Sequence, residues 1–194
     1  MMSGLGFLRV FIGFGCLLYT SGSRAETAVI LAPSLSWQVF SPRPAAEEET
    51  PTFYGYGQAV HAGLSHSDIE AKVGVEYVRS QIGAAELFVG DVVFLNYGLN
   101  LGYRYRSESF IGLRYDIVDY ETRAHHTQNL MVGKWKGCRL GLVMSGSWRV
   151  RRDQYIDLGV FVASGSIEAQ DQEDAEPKYI DSFGLHVTYL FYFD

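Results

Sequence analysis

A chain of 194 residues is long enough for one domain with a real core and too short for two of ordinary size. Charged residues make up only 20% against 47% apolar, and 13 Tyr and 21 Gly stand against 5 Pro, a balance that favours strands over helices. The net charge of -6 supplies no basic field, which excludes nucleic acid as a partner.

The first segment, residues 1–25, reads "MMSGLGFLRVFIGFGCLLYTSGSRA". One Arg precedes an uncharged run from Val10 to Tyr19, and small polar residues follow, ending in Ser23-Arg24-Ala25. That is the layout of a secretory signal peptide, with Ser23 and Ala25 as the small residues before cleavage. The apolar run is shorter than the ~20 residues of a spanning helix. Removal of this segment leaves Cys138 as the single cysteine, so no disulfide framework forms within one mature chain. An exported protein of that kind holds together by hydrogen bonding and packing, which a closed sheet supplies.

Residues 26–52 form an N-terminal segment and linker. Ser34 to Phe40, with Trp37, reads as either an additional strand or an extension, and Ser41–Pro51, "SPRPAAEEETP", clusters Pro and Glu as a linker does. From Tyr54 onward, within residues 53–194, period-2 alternation dominates. Ala71, Val73, Val75 and Tyr77 alternate with Lys72, Gly74 and Glu76; Leu95, Tyr97, Leu99, Leu101, Tyr103 and Tyr105 with Asn96, Gly98, Asn100, Gly102 and Arg104. Ile111, Leu113, Tyr115 and Ile117 face Gly112, Arg114 and Asp116, and Leu140, Leu142 and Met144 face Arg139, Gly141 and Ser145. Ile156, Leu158, Val160 and Val162 alternate with Asp157, Gly159 and Ala163, although Phe161 breaks the polar side; Phe183 to Phe193 alternates with Gly184, His186 and Thr188.

Breaks fall at Ser65–Asp68, Ser80–Gly90, Ser107–Ser109, Thr122–Gln128, Lys136–Gly137, Arg152–Gln154 and Glu168–Lys178, which divides the chain into about eight strands. If Ser34–Phe40 is a strand as well, the count becomes nine, and an even number then requires one of these breaks to be continuous. No later segment has 18 consecutive apolar residues, which excludes a helical membrane protein.

Alternating strands build either a soluble sandwich or lipocalin-like barrel, apolar side inward, or a membrane barrel, apolar side outward. Three features favour the second. The polar parity is rich in Gly, Ser and Asn, and the chain has only four Lys, few for a water-facing sheet. Aromatic residues sit at the ends of apolar runs: Tyr97, Tyr103, Tyr105, Tyr189, Phe191 and Phe193. The runs approach the 9–11 residues of a tilted spanning strand, and a spanning sheet must close on itself because lipid offers no hydrogen bonds.

On these residues the chain resembles the small single-chain outer-membrane β-barrels of Gram-negative bacteria, an all-β, antiparallel up-and-down architecture of typically eight strands. The most specific piece is "FGLHVTYLFYF", whose Val187, Tyr189, Phe191 and Phe193 share one parity; Asp194 follows where the family closes on the aromatic itself. The resemblance implies location in the outer membrane, contact with outer-membrane lipid, and recognition of the C-terminal strand by the barrel-assembly machinery. It is expected to act as a monomer. The family's short periplasmic turns and long external loops fit poorly if Tyr54 opens the first strand and better if Ser34–Phe40 does.

Lys72, Glu76, Arg104, Arg106, Arg114, Asp116, Arg149, Arg151 and Asp157 fall on the interior parity, where they are expected to pair and fill the lumen rather than line a pore. His125-His126 lies among polar residues without a ligand set, so no metal site is expected there. His186 with Thr188, and Ser65-His66-Ser67 with Asp68, carry the groups of a hydrolase, but His186 and Thr188 point into the lumen and away from lipid. No P-loop, dinucleotide fingerprint or nucleophile elbow is present, so no catalytic residue, metal site or cofactor is assigned. The reading is a barrel with a structural or interaction role in membrane integrity, adhesion or loop-mediated contact. Alternatives are a lipid-modifying enzyme, a minor porin-like channel, or a soluble periplasmic barrel for a small ligand.

Overall fold

The computed structural model describes residues 27–43, 53–82, 90–105, 108–124, 133–170 and 177–193. They form eight strands: β1 (Thr27–Arg43), β2 (Phe53–His66), β3 (Ile69–Ile82), β4 (Gly90–Tyr105), β5 (Ser109–Ala124), β6 (Gly133–Arg151), β7 (Gln154–Ala169) and β8 (Lys178–Phe193). Each pairs antiparallel with its neighbours in sequence, and β1 pairs with β8, so the sheet closes into a barrel in simple up-and-down order.

Register fixes the barrel's shape. Partners followed once round run Ile30, Gly63, Lys72, Asn100, Arg114, Gly141, Ala163, Ser182 and then Phe40, ten residues along β1 from the start. A stagger of that size over eight strands tilts them by about 35–45° to the axis. The alternating pattern then acquires two sides. Leu35, Tyr56, Val60, Ile111, Leu113, Leu140, Leu142 and Leu185 are among many apolar side chains exposed on the outside. Gln38, Glu70, Glu76, Asn96, Arg104, Arg114, Asp116 and Arg139 are buried inside.

The two ends differ. At one, β2–β3 and β6–β7 are joined by tight turns and β4–β5 by a connection of three residues; Ser67, with φ 56°, takes the left-handed conformation that a two-residue link demands. The other end carries the longer connections 44–52, 83–89, 125–132 and 170–177. Thr27 and Phe193 both lie at the tight-turn end, since Thr27 pairs with His66 and Val29 with Phe193.

The structure corrects two expectations. The barrel begins at Thr27 rather than at residue 53: Ser34–Phe40 lies within β1, the full first strand. Lys136–Gly137 is not a break but the interior of β6. A Cβ on Gly137 would stand 1.9 Å from the Ser166 carbonyl oxygen, so this glycine admits the close approach of β7 rather than a turn. One strand gained and one break removed leave the count at eight, and long and short connections now alternate. The proposed signal segment 1–25 lies outside the described residues, as does the linker beyond Arg43.

Candidate functional site

Among the described residues the lumen gathers most of the buried charged and polar side chains, and it is layered along its axis. Nearest the tight turns, Ile30, Ala32 and Leu190 form a small apolar floor with Tyr155 and Tyr192 against it. Beside them stands a first charged layer. Arg104 bridges Glu70 and Asp157, its Nη2 2.9 Å from Asp157 Oδ2 and its Nε bonded to Glu70 Oε1. Lys72 Nζ lies 2.8 Å from Glu70 Oε2. Tyr192 donates to Glu70 at 2.5 Å, and Ser145 and Ser147 donate to Asp157 at 3.1 and 2.5 Å. The Phe110 ring takes Lys72 Nζ over its face at 4.2 Å, so the ammonium is held by both a carboxylate and a ring.

The second charged layer lies towards the long connections. Arg114 Nη2 meets Glu76 Oε2 at 2.5 Å and its Nε meets Asp116 Oδ2 at 2.8 Å; Arg139 Nε reaches the same Asp116 oxygen at 2.7 Å. Glu76 also accepts from Ser36 at 2.7 Å, Gln38 at 2.5 Å and Asn96 at 3.1 Å, and Arg139 Nη1 donates to Ser182 at 3.0 Å. Two guanidiniums and two carboxylates balance. In a buried site that balance is what makes the charges tolerable, because each ion out of water carries a penalty of several kcal/mol unless its partners replace the solvent.

Phe161, the residue that breaks the polar alternation of β7, lies buried between the two guanidiniums, 4.3 Å from Arg114 and 5.7 Å from Arg139. Its space is made by Gly184 on β8, where a Cβ would stand 2.2 Å from the ring. Beyond this layer the lumen turns apolar: Phe40, Phe53, Val78, Val92, Phe94, Val118, Tyr120, Trp135, Ile167 and Ile180 form one cluster, with Phe40 stacked on Phe94 at 4.0 Å between centroids. Burying each large ring of this kind stabilises the fold by about 1.5–3 kcal/mol.

Between the charged layers a cavity of about 40 Å³ is lined by His61, His186, Ser34, Thr188, Asn100 and Phe110, with groups of both layers at its edges. That is room for roughly three or four waters, at ~10–15 Å³ for each water centre. His186 and Thr188 do share this interior space, as their parity requires. Among the described residues no group of three or more His, Cys, Asp and Glu is placed to hold a metal ion.

Lys72, Glu76, Arg104, Arg114, Asp116 and Asp157 thus meet in the lumen as their positions demand. Arg149 and Arg151 do not. β6 overshoots β5, whose pairing stops at Ser109 with Gly146, and the register slips between Arg149 and Arg151. Both side chains are exposed below the barrel floor, and Arg149 donates to the carbonyls of Arg151 and Arg152 at 3.2 and 3.0 Å. Arg106 and the His125-His126 pair lie outside the described residues. Glu70 and Arg139, central to the two layers, were missed as pairing residues; Glu70 stands two positions from Lys72 on the same parity, and that spacing was the available signal. His66 Nδ1 bonds Thr27 Oγ1 at 2.9 Å, while Asp68 Oδ2 accepts from Tyr103 at 3.1 Å, so the turn's polar groups are tied to neighbouring strands and not to one another.

No family model and no curated protein matches the chain. Solved structures do. Neisserial surface protein A superposes with a TM-score of 0.56 at 13% identity, covering 86% of this chain and 98% of that one. The outer membrane protein AlkL, solved in DMPC bilayers, gives 0.54 at 12% identity over 90% and 94%, and the outer membrane protein OprG from Pseudomonas aeruginosa 0.50 at 9% over 89% and 98%. The fold is that of a small outer-membrane β-barrel.

Its exterior agrees with that setting. From Phe183 to Phe193 the outward side chains of β8 are all apolar or Tyr; ten steps of about 3.3 Å, foreshortened by a tilt of about 40°, span roughly 25 Å of axis, the height of the lipid-facing band in such barrels. Outside that band on the long-connection side come Asp119, Lys136 and Glu168, with Lys136 3.3 Å from Asp119. Tyr54, Tyr56 and Tyr77 ring one boundary; Tyr103, Tyr105, Trp148 and Phe193 ring the other. In an outer-membrane barrel the tight turns face the periplasm and the long connections the exterior.

Proposed function

We propose that this outer-membrane barrel is a closed, non-conducting scaffold with a structural and contact role, stabilising the membrane and presenting the connections 44–52, 83–89, 125–132 and 170–177 to whatever lies outside. The observation that supports it is the filling of the lumen: two ion-paired layers and then an apolar cluster stand in series along the axis. An ion crossing would have to separate Arg104 from Glu70 and Asp157, and again Arg114 from Glu76 and Asp116. Breaking such buried pairs costs about 3–5 kcal/mol each, before the apolar cluster is reached.

The lumenal placement of His186 and Thr188 supports the same reading, because hydrolysis of a membrane lipid needs base and nucleophile on the lipid-facing side. The test is reconstitution of the full chain in planar bilayers: no stepwise current is expected. Reproducible single-channel steps would replace this reading with a minor channel. In the same spirit, cells expressing the chain with connections 44–52 and 125–132 replaced by Gly-Ser segments are expected to lose surface binding while the barrel still inserts; unchanged binding removes the contact role.

A further inference from the structure

The hairpin that closes β6 and β7 carries "WRVRRD", residues 148–153, and three of the chain's 16 Lys and Arg fall within four positions there, in a protein whose net charge is -6. The paired part of β5 ends at Ser109, opposite Gly146, so from Ser147 the β6 edge runs on past it; among the described residues its backbone tie to β5's side is the Ser147 N–H donating to the Glu108 carbonyl at 2.7 Å. The hairpin therefore projects past the barrel floor at the tight-turn end.

Its outer face is apolar: Trp148 is 57% and Val150 48% exposed, and both continue the row of Leu140, Leu142 and Met144. The far edge of the Trp148 ring lies over Gly146, where a Cβ would stand 3.6 Å from it, so the indole lies back along the strand towards the hydrocarbon. That fixes depth, since a Trp at the end of an apolar band sits at the headgroup boundary. Arg149, Arg151 and Arg152 are exposed at that same depth, and none of them has a carboxylate partner within salt-bridge distance among the described residues. Arg149 spends two donors on the carbonyls of Arg151 and Arg152, which curls the turn; among the described residues no side-chain hydrogen bond or ion pair engages the guanidiniums of Arg151 and Arg152. Asp153 offsets one of the three charges.

We propose that this hairpin binds the anionic headgroups of phospholipids in the leaflet at the tight-turn end: Trp148 and Val150 seat it among the upper acyl carbons while Arg149, Arg151 and Arg152 engage the phosphates. Arginine suits the task because its planar fork presents paired donors to a phosphate and its stem tolerates apolar surroundings. Each such charge near a bilayer surface multiplies affinity for anionic lipid by about fivefold.

The experiment is native mass spectrometry of the full chain in detergent with an equal mixture of phosphatidylglycerol and phosphatidylcholine, comparing the parent with R149Q/R151Q/R152Q and with K134Q/K136Q at the opposite boundary. Circular dichroism checks that each variant is folded. The parent and K134Q/K136Q are expected to retain phosphatidylglycerol preferentially, and the triple variant to lose at least about tenfold of that preference. Added inorganic phosphate is expected to displace little of the lipid, because it lacks the acyl chains that Trp148 and Val150 contact. Equal retention of both lipids by the parent, an unchanged preference in the triple variant, or ready displacement by phosphate would each overturn the proposal.

Discussion

Replacement of Glu76 by Gln keeps the size and shape of the side chain and removes one charge from a balanced set. In the parent, Arg114 and Arg139 stand against Glu76 and Asp116. In the variant two guanidiniums share Asp116 alone, and an amide N–H₂ must take one of the two oxygen positions that now accept from Ser36, Gln38, Asn96 and Arg114. An uncompensated buried charge costs about 3–5 kcal/mol. At a slope of about 2 kcal/mol per molar urea, that moves the unfolding midpoint in micelles down by roughly 2 M. The control that separates charge balance from lost contacts is Glu76→Met with Arg114→Met, which leaves the Arg139–Asp116 pair at 2.7 Å intact and neutral overall. The double variant is expected to be more stable than Glu76→Gln. A single variant within about 1 kcal/mol of the parent, the worth of a surface pair, refutes the reasoning. So does a double variant less stable than Glu76→Gln.

Two further outcomes follow from geometry. Gly184→Ala drives a Cβ into the buried Phe161 ring and is expected to cost about 1–3 kcal/mol in the same urea assay, whereas Gly146→Ala, whose nearest neighbour is Trp148 at 3.6 Å, is expected to be nearly neutral. Equal effects at the two sites would undo the packing argument. With Cys138, an exposed outer residue, first replaced by Ser, spin labels at Leu99 and Leu113 are expected to be reached by oxygen dissolved in the bilayer, and a label at Asn96 to be shielded. Shielding at Leu113 together with water access at Asn96 would reverse the barrel's polarity.

The parts of the fold legible in the sequence were those where one parity is polar. Residues 95–106 and 109–117 show it, because Asn96, Gly98, Arg104, Arg114 and Asp116 lie at mid-depth or beside the floor, where the lumen is charged. β1 was hard to read for the opposite reason. Its inward side chains at either end, Ile30, Ala32 and Phe40, are as apolar as the outward Val29, Leu31 and Val39, since the first group closes the floor and the last enters the apolar cluster. The same effect blurs Val92 to Leu95 and the start of β2. Glycines misled at Lys136–Gly137 because a residue type that often ends strands here serves the crowding of β6 against β7. The exposure of Arg149 and Arg151 was beyond reach, because it depends on how far β6 outruns β5, and nothing in either strand alone encodes that difference.

Closure carries a consequence for how the molecule is made. Val29 pairs in register with Phe193 and Phe40 with Ser182, so the seam joins the earliest and latest strands of the described chain. Until β8 arrives, β1 offers an open row of amides and carbonyls to any passing strand, and no partial cylinder is acceptable to hydrocarbon. Biogenesis is therefore all-or-nothing. A chain that lacks β8 leaves the whole β1 edge unpaired, so the last strand completes the sheet and removes its exposed edge in one step.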